Sequence, residues 1–279
     1  MQSKRSRVFY PASSNELLAE LGRHPEASLF SGSAAWLQKQ TGRLFSLPES
    51  IITMHGIDEL RKIDRTERYL EIGSMVTLNK LLNLGKIVPE ALVLSLKKTA
   101  THFLRNLTTV GSCVCRRWTP EPFVASLVAL DSRYELRSAG FNRWISASQF
   151  CSKAIEEIMN QNEFLSRIRV PLEDWDYTLC RDFSAKESGD NCNEFAVFLA
   201  RIQKDILTDV RLIFSGATIL RDRSFELSIS GSRLPLDKRV LENFLTIWRN
   251  HLSSIENRSE FQKEKLLNFI EQALLYFAY

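Results

Sequence analysis

Two short segments of the chain gather small residues in a way that suits a phosphate-bearing ligand. The longer is LRNLTTVGSC, from Leu104 to Cys113, and the shorter is Ser31-Gly32-Ser33, inside SLFSGSAAWL. Small residues in tight turns let backbone N–H groups point outward, where they can bind an anion without a basic side chain. Taken alone, Ser31-Gly32-Ser33 is more typical of a plain turn. The two segments are therefore candidate cradles for the phosphate groups of a ligand such as a nucleotide cofactor.

Other chemistry-bearing residues form no familiar arrangement. Cys113 and Cys115 are separated by one residue, but no second pair of cysteines or histidines stands at a ligand spacing, so no metal site is predicted. The sequence lacks G-x-G-x-x-G, G-x-x-x-x-G-K-[ST], H-E-x-x-H and G-x-S-x-G. If the protein takes part in catalysis, a bound cofactor must carry the reaction.

Composition indicates a globular protein with room for two or three compact units. The chain has 279 residues, of which 44% are hydrophobic and 25% charged, with a formal net charge of +4. That excess of basic residues is too small for a dedicated nucleic-acid binder. The longest apolar run, Phe123 to Leu130, is far shorter than a membrane span, and no signal peptide is evident. Five cysteines with irregular spacing suit reduced thiols, so we expect a cytoplasmic protein.

The elements that must position the two small-residue segments are of mixed type. Capping residues predict a helix from Ser13 to about Gly22, and a second helix capped by Thr77. A third helix is predicted from Pro89 through Phe103, which makes Leu104–Cys113 a loop. Thr119-Pro120 predicts the start of the next helix. Strands are predicted at 28–30, 50–54 and 68–74, and in a hairpin that turns at Ser138-Ala139-Gly140.

The pattern resets after residue 160 and indicates a separate C-terminal unit. FLSRIRVPL, YTLCRDFS, EFAVFLARIQ and DVRLIFSGAT are strand-like, and two amphipathic helices follow. The last helix carries an apolar stripe typical of a core or a subunit contact. The stripe consists of Leu266, Phe269, Ile270, Ala273, Leu274 and Phe277.

The order of these segments resembles the flavin-binding subunit of the molybdenum hydroxylases, the medium subunit of xanthine dehydrogenase-like and carbon monoxide dehydrogenase-like enzymes. FSGSAAWL, LPESIITM, IDELRKI and LEIGS follow the order of that family's first segments. LRNLTTVGSC is similar to its second loop, I-R-N-x-A-T-I-G-G-N, and SLVALDSRYELRS to its L-L-A-L-D-A-x-V-x-L-x-S. The likeness continues through FLSRIRVPL and DVRLIFSGAT, so it covers nearly the whole chain.

This resemblance implies an α+β fold. It is the fold shared with vanillyl-alcohol oxidase and p-cresol methylhydroxylase, in which two FAD-binding subdomains are followed by a C-terminal α+β domain with a three-stranded sheet. The implied boundaries are 1–58 and 59–170 for the two subdomains and 171–279 for the C-terminal domain.

The resemblance also implies that the two small-residue loops hold the FAD pyrophosphate. The first loop runs from Ser28 to Ala35, with Ser31, Gly32 and Ser33 nearest the phosphates, while Thr99 and Leu165 pack against the cofactor. The full set implied is Ser28, Leu29, Phe30, Ser31, Gly32, Ser33, Ala34, Ala35, Thr99, Thr109, Gly111, Ser112, Cys113 and Leu165.

Several positions depart from the family pattern. Ser112 and Cys113 stand where the family has Gly and Asn, and Pro122 stands where it has an Asp that holds the cofactor, with Glu121 beside it as a substitute. Asp182 occupies the place of a family Lys. Arg105 is expected to form an ion pair at the surface or one that braces the loop, in preference to a ligand contact. Arg116-Arg117 are interpreted as a solvated face or, less favoured, as a site that steers an anionic partner such as NAD(P).

The function implied is that of an oxidoreductase subunit without side-chain catalysts of its own. Electrons would come from a molybdopterin-binding large subunit through [2Fe–2S] clusters on a small subunit, reach FAD here, and pass to NAD+ or another acceptor. The chain lacks a cysteine pattern for its own clusters. Two alternatives stay open: a scaffold subunit with weak or lost FAD binding, and a less favoured stand-alone flavoprotein oxidase.

Overall fold

The computed structural model of the protein describes residues 6–32, 47–116, 121–184, 194–216, 218–253 and 259–278. The chain divides into two compact units, Met1–Glu173 and Asp174–Tyr279. In the described part of the chain, no helix has the length and apolar character needed to cross a membrane. The three-part division at 58/59 and 170/171 stays a prediction.

Two β-sheets form the frame of the first unit. The smaller is parallel, with strand order β1-β3-β2, and the larger is antiparallel, with order β4-β5-β8-β6-β7. The strands of the smaller sheet are β1 (Arg7–Phe9), β2 (Ser28–Phe30) and β3 (Ser50–Thr53). Those of the larger are β4 (Ile63–Arg65), β5 (Tyr69–Gly73), β6 (Arg133–Ser138), β7 (Phe141–Ser146) and β8 (Phe164–Pro171).

Eight α-helices accompany these sheets in the described part of the first unit. They are α1 (Ser14–Arg23), α2 (Leu78–Leu82), α3 (Glu90–Lys98), α4 (His102–Leu107), α5 (Val110–Val114), α6 (Pro122–Ala129), α7 (Ala147–Cys151) and α8 (Ile155–Ile158).

Local sequence explains why these helices begin where they do. The Ser13 hydroxyl accepts a hydrogen bond from the Glu16 N–H at 3.2 Å and so caps α1. The Thr77 hydroxyl caps α2 in the same way, as predicted. All eight residues of α6 are buried, which fits a helix that is apolar on every side. A buried cluster that includes Leu17, Ile52 and Phe164 joins α1 to both sheets.

The second unit packs three helices against one four-stranded antiparallel sheet, of order β12-β11-β10-β9. Its strands are β9 (Tyr177–Asp182), β10 (Phe195–Gln203), β11 (Ile206–Ser215) and β12 (Leu220–Arg221), and its helices are α9 (Arg223–Ile229), α10 (Lys238–Ser253) and α11 (Glu260–Leu275). The resemblance implied three strands; the additional strand, β12, contributes two residues at the edge.

Aromatic rings fill the core of this second unit. Phe214 lies edge-on to Trp248, with ring centroids 5.8 Å apart, and edge-on to Phe269 at 6.0 Å. The predicted apolar stripe of the last helix is buried in this core. The stripe is therefore part of the core, one of the two roles predicted for it.

The structure corrects three predictions about element boundaries. The helix predicted from Pro89 through Phe103 ends at Lys98, because Ala100 adopts a φ of 61°, which an α-helix does not allow. Leu104–Cys113, predicted as a loop, lies largely in α4 and α5. The helix predicted to start at Pro120 starts at Pro122, after an N-cap at Glu121.

Candidate functional site

The two small-residue segments meet in the structure although more than seventy residues separate them in sequence. A Cβ atom placed on Gly32 would lie 2.4 Å from the carbonyl oxygen of Leu107 and 3.2 Å from the Cγ2 atom of Thr109. Because a real Cβ is never found at 2.4 Å from a backbone atom, only glycine permits this approach. The structure therefore brings Gly32 and Thr109 into contact, while their binding of a cofactor stays a prediction.

The second segment folds by capping itself. The Thr109 hydroxyl accepts a hydrogen bond from the Ser112 N–H at 3.2 Å, and the Ser112 hydroxyl accepts one from the Thr109 N–H at 3.0 Å. The Ser112 hydroxyl also donates to the Thr109 carbonyl at 2.8 Å. This reciprocal capping box starts α5 directly after Thr109.

Backbone contacts with residues 74–78 hold the same segment in place. Val110 N–H donates to the Val76 carbonyl at 2.9 Å, and Gly111 N–H donates to the Ser74 carbonyl at 2.8 Å. A Cβ on Gly111 would lie 3.0 Å from both the Cβ and the carbonyl oxygen of Ser74, the residue directly after β5. Glycine at position 111 therefore lets α5 pack close to the end of β5. The segment is thus rigidly positioned.

These contacts use most of the hydrogen-bond donors that the second segment could offer a ligand. The N–H groups of Thr109, Val110, Gly111 and Ser112 all have partners within the protein, and Cys113 N–H donates to the Thr109 carbonyl at 3.0 Å. The Thr109 hydroxyl accepts one hydrogen bond, and its own hydrogen has no acceptor among the described residues. The Thr109 hydroxyl is therefore one donor that this segment keeps, on a residue that is 3% exposed.

The first segment leaves a strand and turns toward the second. Ser28, Leu29 and Phe30 form β2 at the edge of the parallel sheet, and Ser31 and Gly32 follow it in half-buried positions. In the described part of the chain, the N–H groups of Ser31 and Gly32 have no backbone partner. Ser33, Ala34 and Ala35 lie outside the described residues.

Thr99 and Leu165 occupy packing positions. The Thr99 side chain is 1% exposed, donates to the Ser95 carbonyl at 3.0 Å and accepts from the Phe123 N–H at 3.0 Å, linking the end of α3 to the start of α6. Leu165 is buried in β8, opposite Leu136 of β6. Direct contact of either residue with a cofactor stays a prediction.

Cys113 and Arg116 point into the protein. Burial raises the pKa of the Cys113 thiol to about 12, so the thiol is neutral at physiological pH. Arg116 pairs with Glu121, and both side chains are nearly buried. Burial lowers the pKa of the Arg116 guanidinium, and the neighbouring Cys113 opposes that shift. The interpretation of Arg116 as a solvated or steering residue is wrong, while Arg117 lies outside the described residues.

Arg105 was predicted to form an ion pair, but its guanidinium instead donates to backbone carbonyl groups. Its Nη1 atom donates to the carbonyl oxygens of Leu96, Lys97 and Ala100, at 3.4, 3.2 and 2.9 Å. These contacts satisfy the last carbonyls of α3, where a cation also complements the helix dipole.

A polar cleft of about 260 Å³ on the five-stranded sheet was not foreseen from the sequence. Arg167 donates from Nε and Nη2 to both carboxylate oxygens of Glu135, at 2.9 and 3.0 Å, and from Nη1 to Glu71 at 2.7 Å. Arg169 also donates to Glu71 at 2.8 Å, and its guanidinium lies 4.3 Å from the Trp144 ring centroid. Alternation of arginine and apolar residues in β8 is the signal that could have revealed this charged face.

Comparison with known proteins identifies the family. Residues 4–173 match the family described as the FAD binding domain in molybdopterin dehydrogenase. The chain belongs to this family. FAD is accordingly the cofactor indicated for the domain. The family membership predicted from LRNLTTVGSC and its neighbouring segments is confirmed.

Two relatives support the assignment over part of their length. The chain is 28% identical over 171 residues to the carbon monoxide dehydrogenase medium chain of Hydrogenophaga pseudoflava, covering 60% of this chain and 59% of the relative. It is 26% identical over 225 residues to aldehyde oxidase 2 of Cavia porcellus, covering 74% of this chain and 16% of the relative. The chain thus spans less than two thirds of either relative.

Solved structures confirm the fold. Carbon monoxide dehydrogenase from Hydrogenophaga pseudoflava superposes with a TM-score of 0.80 at 22% identity, covering 100% of this chain and 98% of that chain. The α+β FAD-binding fold predicted from the resemblance is therefore correct.

The described residues fit an FAD pyrophosphate in shape and in donor type, with few donors. Gly32 and Thr109 meet without bulky side chains between them, and the N–H groups of Ser31 and Gly32 and the hydrogen of the Thr109 hydroxyl have no acceptor among the described residues. Glu121 faces Arg116, which supplies its carboxylate with a partner inside the protein.

Proposed function

We propose that this chain is the FAD-binding subunit of a molybdenum-dependent hydroxylase or dehydrogenase. The observation that carries the proposal is the contact of Gly32 with the Leu107–Thr109 backbone, which brings two distant small-residue loops of an FAD-binding family to one place. The relatives matched are a carbon monoxide dehydrogenase medium chain and an aldehyde oxidase, both components of oxidoreductases.

The residues of this chain bind and position the cofactor. The N–H groups of Ser31 and Gly32 and the Thr109 hydroxyl would donate to the pyrophosphate oxygens. Gly111 keeps α5 close to Ser74 and so fixes where Thr109 stands. The proposed cofactor-binding set also includes Ser28, Leu29 and Phe30 of β2, together with Ser33, Ala34 and Ala35, which lie outside the described residues. Thr99, Cys113 and Leu165 would pack against the cofactor.

FAD, when bound, would supply the redox chemistry of such a subunit. The proposed role of the subunit is to link [2Fe–2S] clusters of a small partner subunit to NAD+ or another acceptor. A molybdopterin-binding large subunit would oxidise the substrate. The protein's own contribution is to hold the cofactor, exclude water and set the electrostatic surroundings of the flavin.

Two observations favour a second candidate, a scaffold subunit with weak or lost FAD binding. The Ser112 hydroxyl accepts from the Thr109 N–H, a donor that a glycine at position 112 would leave open to a ligand. The pairing of Glu121 with Arg116 also favours weak or lost FAD binding. Glu121 is next to Pro122, which stands where the family has its cofactor-binding Asp, and its carboxylate is already engaged by Arg116.

The absorption spectrum of the purified full chain separates the two candidates. We expect flavin bands that persist through gel filtration and an equimolar release of FAD on denaturation. Titration of flavin-stripped protein with FAD, with and without the partner subunits, should restore the bands. A colourless protein that takes up no FAD in either titration would overturn the proposal and leave the scaffold role.

A further inference from the structure

The polar cleft on the five-stranded sheet lies on the face away from the residue predicted to pack against the cofactor. That residue, Leu165, is paired with Leu136 of β6, and both are buried. Successive side chains of a strand point to opposite faces of a sheet. Glu135 and Arg137, on either side of Leu136, therefore point to the other face, where both line the cleft. The cleft is thus distinct from the proposed FAD site.

Arg137 enters the cleft with its hydrogen-bond donors unused. Its Nε atom is buried without a hydrogen-bond partner, and its guanidinium donates to none of the described residues. It forms long ion pairs with Glu135 at 3.6 Å and Glu59 at 3.9 Å, distances beyond those of a hydrogen bond. A guanidinium carries five N–H donors in a planar fork that matches a carboxylate. Arg137 is therefore suited to bind one from solution.

Both carboxylates near Arg137 are held by other donors. Arg167 donates to the two oxygens of Glu135 at 2.9 and 3.0 Å, and the Ser14 N–H donates to Glu59 at 2.7 Å. These contacts fix the two carboxylates at a distance from Arg137. A ligand carboxylate can reach the guanidinium without first breaking a hydrogen bond of the protein.

Lys62 and Asp64 add a second cation and a carboxylate to the cleft. Both are exposed, and neither forms a hydrogen bond within the part of the chain that the structure describes. The hydrogen bond from Ser14 lowers the pKa of Glu59, and the charges of Arg137 and Lys62 lower it further. Lys62 and Arg137 therefore act on the same end of the cleft. Asp64 is two residues from Lys62 in extended chain, about 6–7 Å away along the strand.

The charges of the cleft balance one another. Two arginines of β8 engage the carboxylates of Glu71 and Glu135. A site of balanced charge favours neither a pure anion nor a pure cation, but it complements a ligand that carries both charges. Its volume of about 260 Å³ limits that ligand to a small molecule. The remaining charged groups of the cleft are two cations, Lys62 and Arg137, and two carboxylates, Glu59 and Asp64.

We propose that this cleft binds a small zwitterion of the amino-acid type. The ligand carboxylate accepts hydrogen bonds from Arg137 and Lys62, and the ligand ammonium group donates to Asp64. The separation of Lys62 from Asp64 along the strand favours an ω-amino acid over an α-amino acid. This binding involves no chemical step and goes beyond the proposed function, because it requires no FAD.

The test measures binding of glycine, β-alanine, γ-aminobutyrate and δ-aminovalerate to the full chain by calorimetry, with and without added FAD. We expect saturable binding that is tightest for a longer member, and at least tenfold weaker binding of butyrate and butylamine. Arg137→Gln should weaken the affinity by about tenfold or more. Asp64→Asn should remove the advantage of γ-aminobutyrate over butyrate. Arg65→Gln is the matched control, at an exposed residue of β4 that alternates with Asp64, and should bind as the unchanged chain does.

A second variant keeps the test decisive if Arg137→Gln unfolds. Arg137→Lys retains the charge but loses the planar fork, so it should also bind more weakly while urea unfolding shows an intact fold. No saturable binding at millimolar concentrations would overturn the proposal. Equal affinity for butyrate and γ-aminobutyrate, or unchanged affinity in the Arg137 and Asp64 variants, would overturn it as well. A chain that binds the zwitterion but no FAD would contradict the proposed function alone.

Discussion

Gly32 sits at the point where the two loops touch, and we expect no other residue to be tolerated there. In Gly32→Ala the new methyl group would meet the Leu107 carbonyl at 2.4 Å, so the loops must move apart. We expect a loss of stability of about 1–3 kcal/mol and much weaker FAD binding. Urea unfolding and flavin titration measure the two effects.

Gly22→Ala is the matched control for that substitution. Gly22 lies within α1, and a Cβ there would meet nothing within 4 Å. Alanine is the better helix former, so stability should rise by about 0.5–1 kcal/mol with FAD affinity unchanged. Equal behaviour of the two variants would show that the loop contact has no role in binding.

Ser112 limits the number of hydrogen-bond donors that can reach the cofactor, because its hydroxyl accepts the Thr109 N–H. Ser112→Ala removes the acceptor of the Thr109 N–H, which should lower stability by about 0.5–1.5 kcal/mol and strengthen FAD binding, since that N–H becomes available. Ser146→Ala, in the capping box of α7, should lower stability without changing FAD affinity. Weaker FAD binding by Ser112→Ala would mean that the hydroxyl itself contacts the cofactor.

At the scale of single elements, the charged face of the five-stranded sheet should make stability depend on acid. Burial acts to raise the pKa of Glu135, but hydrogen bonds from Arg167 and Ser166 outweigh it and lower that pKa below its ordinary value. A carboxyl whose pKa is lower in the folded state stabilises the fold at neutral pH and loses that effect as pH falls through its folded pKa.

Glu135→Gln should therefore reduce stability at pH 7 and flatten its decline below about pH 4. Urea midpoints between pH 7 and pH 3 measure this dependence. Glu157→Gln, at an exposed residue of α8, should leave the profile unchanged. Parallel pH profiles for the unchanged chain and Glu135→Gln would exclude Glu135 as the responsible group.

Sequence reasoning placed most strands and the α1, α2 and α11 helices but misread the second loop. Apolar periodicity predicts the strands of both units, because buried strand faces require apolar residues at regular spacing. The region from Thr99 to Val114 depends on local hydrogen bonding: Thr101 caps α4, and Thr109 with Ser112 caps α5. The family likeness predicts that Ser112 approaches a phosphate, whereas its hydroxyl belongs to the capping box of α5.

The candidate site was recognised through family likeness more than through physical pattern. Ser31-Gly32-Ser33 alone does not differ from a common turn, and the sequence gives no distance from Gly32 to Leu107. The pairing of Arg116 with Glu121 was likewise not predictable, because charge patterns do not reveal which arginine is buried. The approach of Gly32 to Leu107 and the pairing of Arg116 with Glu121 are visible only in the three-dimensional structure.

The two units have separate hydrophobic cores, so a core substitution in one unit should leave the function of the other unchanged. Phe269 is fully buried in the aromatic core of the second unit, and Phe269→Ala should cost about 3–5 kcal/mol of that unit's stability. FAD affinity at low temperature should change by less than about threefold, because the proposed pyrophosphate contacts all lie in the first unit. A large loss of affinity in the still-folded variant would place part of the cofactor site in the second unit.

The position of β8 in the five-stranded sheet has a consequence for synthesis of the chain. β8 lies between β5 and β6, so residues 69–73 pair with residues near 170, almost a hundred positions later. On the ribosome, β5 and the β6–β7 hairpin must wait for Pro171 to emerge before the sheet can close. Such long-range pairing slows folding and leaves strand edges unpaired in the nascent chain. We therefore expect folding of the first unit during synthesis to benefit from chaperone protection.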